Sequence, residues 1–178
     1  FAAITPMTDV NGGHLNGARD QKYNAHEIPP PHTLRKYDII ITTFHQLSRE
    51  WVVNKGRSNL LRVHWLRVIL DEGHELGKSV QITNRLEVSC LLKCDRRWIM
   101  TGTPTPKNTA SIRQKNAGNR FSTNEIRYLQ PLLRFLRVYP FHFRRESMSL
   151  FRRLISEPYE GGDGYAVQRL DLLLDQVM

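Results

Sequence analysis

The amino-acid sequence predicts an α/β fold: a parallel sheet flanked by helices, followed by a helical C-terminal segment. Two observations carry this. Three short, continuously apolar runs occur at Ile39–Ile41, Val68–Leu70 and Trp98–Met100, and each stops abruptly in small or charged residues. Uninterrupted apolar runs suit strands buried on both faces, as in a sheet covered by helices. Between them lie segments that can be helical, at 45–53 and 79–92, so the order is strand, helix, strand, helix, strand.

Taken in order, residues 1–36 are rich in breakers (Gly12-Gly13, Gly17, Pro29-Pro30-Pro31) and read as a loop-rich lead-in. The chain starts at Phe1, which reads as a piece of something longer. Residues 37–104 form the core. Its strands end in Thr42-Thr43, Asp71-Glu72 and Thr101-Gly102-Thr103, which places these polar residues along one rim of the sheet. In open parallel sheets that rim binds ligands, because loops and helix N-termini meet there. Residues 105–122 are polar and irregular. From 123 the chain turns helical again, with Ile126, Leu129, Leu133 and Leu136 spaced for one buried face. Further helices are expected at 147–156 and 165–177, the second with Val167, Leu170 and Leu174 on one stripe.

The net charge of +9 is concentrated. Residues 112–153 hold ten basic side chains, nine of them arginine, against only Glu125 and Glu146. Arginine suits bidentate phosphate contact, so this stretch fits a nucleic-acid-facing surface as well as it fits a solvated basic face. No stretch approaches the roughly 20 apolar residues of a membrane span. Cys90 and Cys94, one helical turn apart, read as reduced thiols, since no second pair or suitably spaced histidine completes a zinc site. His74-Glu75-Leu76-Gly77-Lys78 starts like a zinc-protease helix but lacks its second histidine.

The chemistry centres on Asp71-Glu72-Gly73-His74. Two carboxylates after a buried strand can divide the work of phosphate-ester hydrolysis. One holds a magnesium ion, and the other polarises the attacking water. Four such residues alone are a weak signal. Context strengthens it. Tyr37-Asp38-Ile39-Ile40-Ile41-Thr42-Thr43-Phe44, the Asp71 box with its strand, Arg96 through Pro104, Leu132 through Arg137, and Arg153 through Pro158 occur in order. Together they resemble the Swi/Snf-type, DNA-dependent ATPases of helicase superfamily two, nearest the nuclear DNA-damage-tolerance translocases.

The resemblance covers about residues 34–178 and implies a partial RecA-like lobe, nuclear location, ATP and Mg²⁺ as cofactors, and double-stranded DNA or the nucleosome as partner. It implies that Asp71 binds magnesium, that Glu72 activates water, and that His74 couples the nucleotide to the third motif. Thr101, Gly102 and Thr103 would relay hydrolysis to the DNA track. Thr42 and Thr43, with Arg113, Arg144 and Arg145, would lie near phosphates, although Thr42-Thr43 reads equally as an ordinary β-branched strand end.

Two departures stand out. Thr105-Pro106-Lys107-Asn108 reads as an insertion after the third motif, and Gly73 is a tolerated variant within the box. The chain also contains no Gly-x-x-x-x-Gly-Lys-Ser/Thr loop, which would supply most of the grip on the phosphates. A second RecA-like lobe would complete the site, and this stretch alone is not expected to hydrolyse ATP. The competing reading is a non-catalytic DNA- or chromatin-binding module derived from such a lobe.

Overall fold

Strand β3 (His64–Asp71) is the spine of the sheet, and the computed structural model describes residues 2–6, 27–54, 56–76, 82–102, 126, 128–142 and 146–177. Two compact units divide the chain. The first comprises Phe1–Asp71 with Thr83–Trp98, and the second Glu72–Ile82 with Ile99–Met178.

The sheet has the order β2-β1-β3-β4, with β1 at Ala2–Pro6, β2 at Ile40–Thr42 and β4 at Lys93–Met100. Strands β3 and β4 run parallel. His64 meets Asp95 at 2.7 Å and the Arg67 guanidinium lies 5.4 Å from the Trp98 ring centre, two cross-strand pairs at the same 31-residue offset. Strand β1 pairs antiparallel with both β2 and β3. This differs from the sequence expectation of a loop-rich lead-in, since Ala2–Pro6 of that lead-in form a strand inserted between β2 and β3. Strand β1 lies between the two, pairing through Ala2, Ala3 and Ile4 with β2 and through Ala2–Pro6 with β3, so β2 and β3 point the same way without touching. Ala2 faces Thr42 on one side and Leu70 on the other, which puts the carboxyl ends of β2 and β3 at one end of the sheet.

Burial on both faces is not general among these strands. Trp65, Val68 and Leu70 are buried, while Ile39, Ile41, Trp98 and Met100 are exposed. The helices α2 (Phe44–Asn54) and α3 (Asn84–Leu91) pack on one another in the first unit, joined in the core by Leu47, Leu60, Leu86 and Val88. Trp65 is fully buried and its indole N–H donates to the Leu60 carbonyl at 2.9 Å, leaving no orphaned donor. Thr83 caps α3 by accepting from the Leu86 amide. That cap starts α3 later than the periodicity suggested. The short helix α1 (Pro31–Leu34) opens on proline, whose fixed φ suits a first turn.

In the second unit, α4 (Leu129–Leu136) is buried nearly all round, including Gln130 and Arg134, rather than on the single face that its leucine spacing suggested. It ends at Arg137, which adopts a left-handed conformation (φ 60°) while the Val138 amide reaches back to the Leu133 carbonyl at 3.0 Å. Phe141 and Phe151 meet edge to face at 5.4 Å. Helix α5 (Ser147–Phe151) passes through a π-helical turn (Arg152–Ser156) into α6 (Glu157–Glu160). Helix α7 (Gly164–Asp175) is capped by Asp163 and buries Ala166, Leu170 and Leu173. The stripe is therefore rotated from the one expected: Val167 faces solvent and Leu173 replaces Leu174 inside. Among the described residues no helix is long and apolar enough to cross a membrane.

Candidate functional site

The acidic box begins where β3 ends. Asp71 is the exposed last residue of that strand, and Glu72 follows with a left-handed backbone (φ 51°) that turns the chain sharply. A glutamate gains nothing sterically from this conformation, which costs an L-residue about 1–2 kcal/mol. Such strain persists only where surroundings impose it. Here they do. Gly73–Leu76 forms a tight helical turn against α4, closed by the Glu75 amide donating to the Glu72 carbonyl at 2.9 Å.

Gly73 has a steric role that spacing could not show. It is buried, and a Cβ there would stand 2.3 Å from Ile99 Cγ2. That methyl sits on a β-branched carbon and cannot swing aside without a rotamer change. Glycine at this position is thus required by the packing of Ile99, beyond being tolerated.

His74 lies at the centre of a small polar cluster. Its Nδ1 is 3.1 Å from Glu72 Oε2 and 3.2 Å from Thr101 Oγ1, and its Nε2 is 3.5 Å from Glu75 Oε1. The side chain is 26% exposed, enough shielding to give these contacts direction. The second and third motifs of the sequence are therefore in hydrogen-bond contact through His74 and Thr101. Gly102 is exposed beside them and a Cβ there would meet nothing within 4 Å. Thr103 lies outside the described residues, as do the stretch at 105–122 and Arg113, Arg144 and Arg145.

At the far strand, Thr42 is 8% exposed at the end of β2. Thr43 is exposed, and its hydroxyl oxygen accepts from the Gln46 amide at 3.1 Å, making it the N-cap of α2. The threonine-before-helix pattern could have revealed this cap.

The basic stretch separates into unlike parts. Arg134 is 4% exposed inside α4 and cannot face a polyanion, a correction to the expectation drawn from the charge count. It is carried inward because the helix that bears it is buried on every side. Arg137 is exposed, Arg152 donates to Glu157 at 2.6 Å, and Arg153 is exposed. Glu75 and Arg97 were missed at the sequence level. Arg97 donates to the carbonyls of Ser89 (2.9 Å), Cys90 (3.3 Å) and Leu92, the last turn of α3. Cys90 and Cys94 are not joined by a disulfide. No group of three histidine, cysteine, aspartate or glutamate side chains able to hold a metal occurs among the described residues.

The sequence and the fold are similar to those of known proteins. The chain is 46% identical over 107 residues to an F-box protein of Arabidopsis thaliana, covering 60% of this chain and 7% of that protein. It is 32% identical over 157 residues to the human helicase-like transcription factor, covering 87% of this chain and 13% of the relative. The chain thus spans a small part of the curated relatives' length. Its fold matches the SWI2/SNF2 ATPase core of Sulfolobus solfataricus solved with dsDNA, with a TM-score of 0.56 at 23% identity, over 81% of this chain and 24% of that one. It has the fold of a partial RecA-like lobe. With residues 10–178 matching the SNF2-related domain, the chain belongs to the SNF2 family.

Proposed function

We propose that this chain is part of the first motor lobe of an ATP-driven translocase that acts in the nucleus on double-stranded or nucleosomal DNA, completed by a phosphate-binding loop and a second RecA-like lobe. The contact between His74 and Thr101 at 3.2 Å supports this reading most directly. It joins the residues that would sense nucleotide to those that would move DNA. The similarity to a SWI2/SNF2 ATPase core solved with dsDNA supports the choice of partner.

In this reading Glu72 takes the proton-accepting role toward the attacking water, and its strained backbone fixes the carboxylate relative to His74. Asp71 would hold Mg²⁺. The donor fits: an exposed carboxylate at a strand end offers the hard oxygen that magnesium prefers, with room for the waters it retains. When bound, the ion neutralises phosphate charge. Gly102 and Thr103 continue the link toward DNA, and Thr42, Thr43, Arg113, Arg144 and Arg145 contact its backbone without reading base sequence.

Glu72→Gln in the full-length protein tests the proposal. DNA-stimulated phosphate release falls at least about a hundredfold, the scale of losing a general base, while DNA affinity holds. Undiminished turnover in that variant removes the assignment. The 178-residue chain by itself, lacking the phosphate-binding loop, gives no DNA-stimulated release.

A further inference from the structure

Three acceptor-capable oxygens surround the His74 ring, and a neutral ring has a single N–H to offer. Carboxylates only accept, whereas a threonine hydroxyl can donate or accept. With the proton on Nδ1, the ring donates to Glu72, 3.1 Å away, and holds that carboxylate back. With the proton on Nε2, the ring donates toward Glu75, and Nδ1 presents a lone pair. That lone pair accepts the Thr101 hydroxyl and repels the Glu72 carboxylate.

We propose, building on the motor reading above, that Glu75 is a positioning residue that draws the His74 proton to Nε2, releasing Glu72 toward the nucleotide while linking His74 to Thr101. The exchange conserves protons: the one leaving Nδ1 to water is matched by one arriving at Nε2, and the ring stays neutral.

The turn is built for such competition. The Glu75 amide donates to the Glu72 carbonyl at 2.9 Å, so both carboxylates ride on one closed backbone turn and reach opposite edges of the same ring. Glu75 is also the more sheltered of the two, with its side chain 29% exposed against 58% for Glu72, which strengthens its pull on a ring proton.

The proton position can be read directly. In the chain labelled with ¹⁵N-histidine, long-range ¹H–¹⁵N spectra at neutral pH should show a population of His74 protonated on Nε2 and directed at Glu75, in exchange with the Nδ1–H form that matches the 3.1 Å contact with Glu72. Glu75→Ala should shift the population toward Nδ1–H. Glu75→Gln, whose amide oxygen still accepts, should keep the wild-type pattern. An unchanged tautomer in Glu75→Ala, or protons on both nitrogens in the wild type, overturns the proposal. In the full-length protein Glu75→Ala should lower kcat about tenfold, as for loss of an orienting partner, with KM for ATP unchanged and kcat restored by Gln. An effect confined to KM overturns it. If Glu72→Gln leaves hydrolysis intact, the motor reading fails, while the tautomer measurement still decides whether Glu75 orients the ring.

Discussion

In the turn from Glu72 to Leu76 each residue's placement follows from a nearby neighbour, whereas four of the described arginines beyond Leu129 meet four different fates. Gly73 is dictated by Ile99, His74 by three oxygens and Leu76 by complete burial. Among the arginines, Arg134 is inside, Arg137 terminates a helix, Arg152 is ion-paired and Arg153 faces water. Short-range sterics give a tight turn a single solution. The fate of a charge depends on which side of its helix is covered, and a charge count cannot show that.

The contrast can be tested at decreasing scales of effect. Arg134→Ala should cost about 3 kcal/mol, because a buried guanidinium leaves both a gap and stranded partners. A urea midpoint within experimental scatter of wild type would mean that Arg134 is not interior. Gly73→Ala should cost about 2 kcal/mol through overpacking. In a double-mutant cycle with Ile99→Ala a coupling of about 1 kcal/mol or more identifies the clash, and additive effects refute it. Arg137→Gly should instead stabilise by about 1 kcal/mol, relieving a left-handed arginine; a loss of stability would show that the arginine side chain matters more than its backbone. Arg153→Ala should leave stability within about 0.5 kcal/mol. If Arg153 meets phosphate, the dependence of DNA affinity on salt should lessen by about one in slope, and an unchanged slope removes it from the DNA surface.

Much of the first unit was legible because its signals are local. The apolar runs at 39–41, 68–70 and 98–100 became strands, and the segment at 45–53 became α2 almost to the residue. The Asp71 box stands at a strand end as its context indicated. What escaped notice depends on partners remote in sequence. Strand β1 lies in a breaker-rich lead-in and acquires its meaning only by pairing with Leu70 and Thr42. The steric demand at Gly73 comes from Ile99, 26 positions later. Thr43 stands both at a strand end and directly before a helix, and its cap is a local signal legible in the sequence. Glu75 was hidden by a false likeness to a zinc-protease helix, although its carboxylate closes the far side of the His74 ring.

Arg97 has a consequence for local motion. Helix ends ordinarily fray, because their last carbonyls lack partners. Here one guanidinium from β4 collects two of them, at Ser89 and Cys90, together with the carbonyl of the cap residue Leu92, so the final turn of α3 cannot unwind without dragging its neighbouring strand. The two elements therefore open as one cooperative block, and amides of that turn exchange with deuterium at the pace of the sheet and not at the faster pace of a surface helix tip.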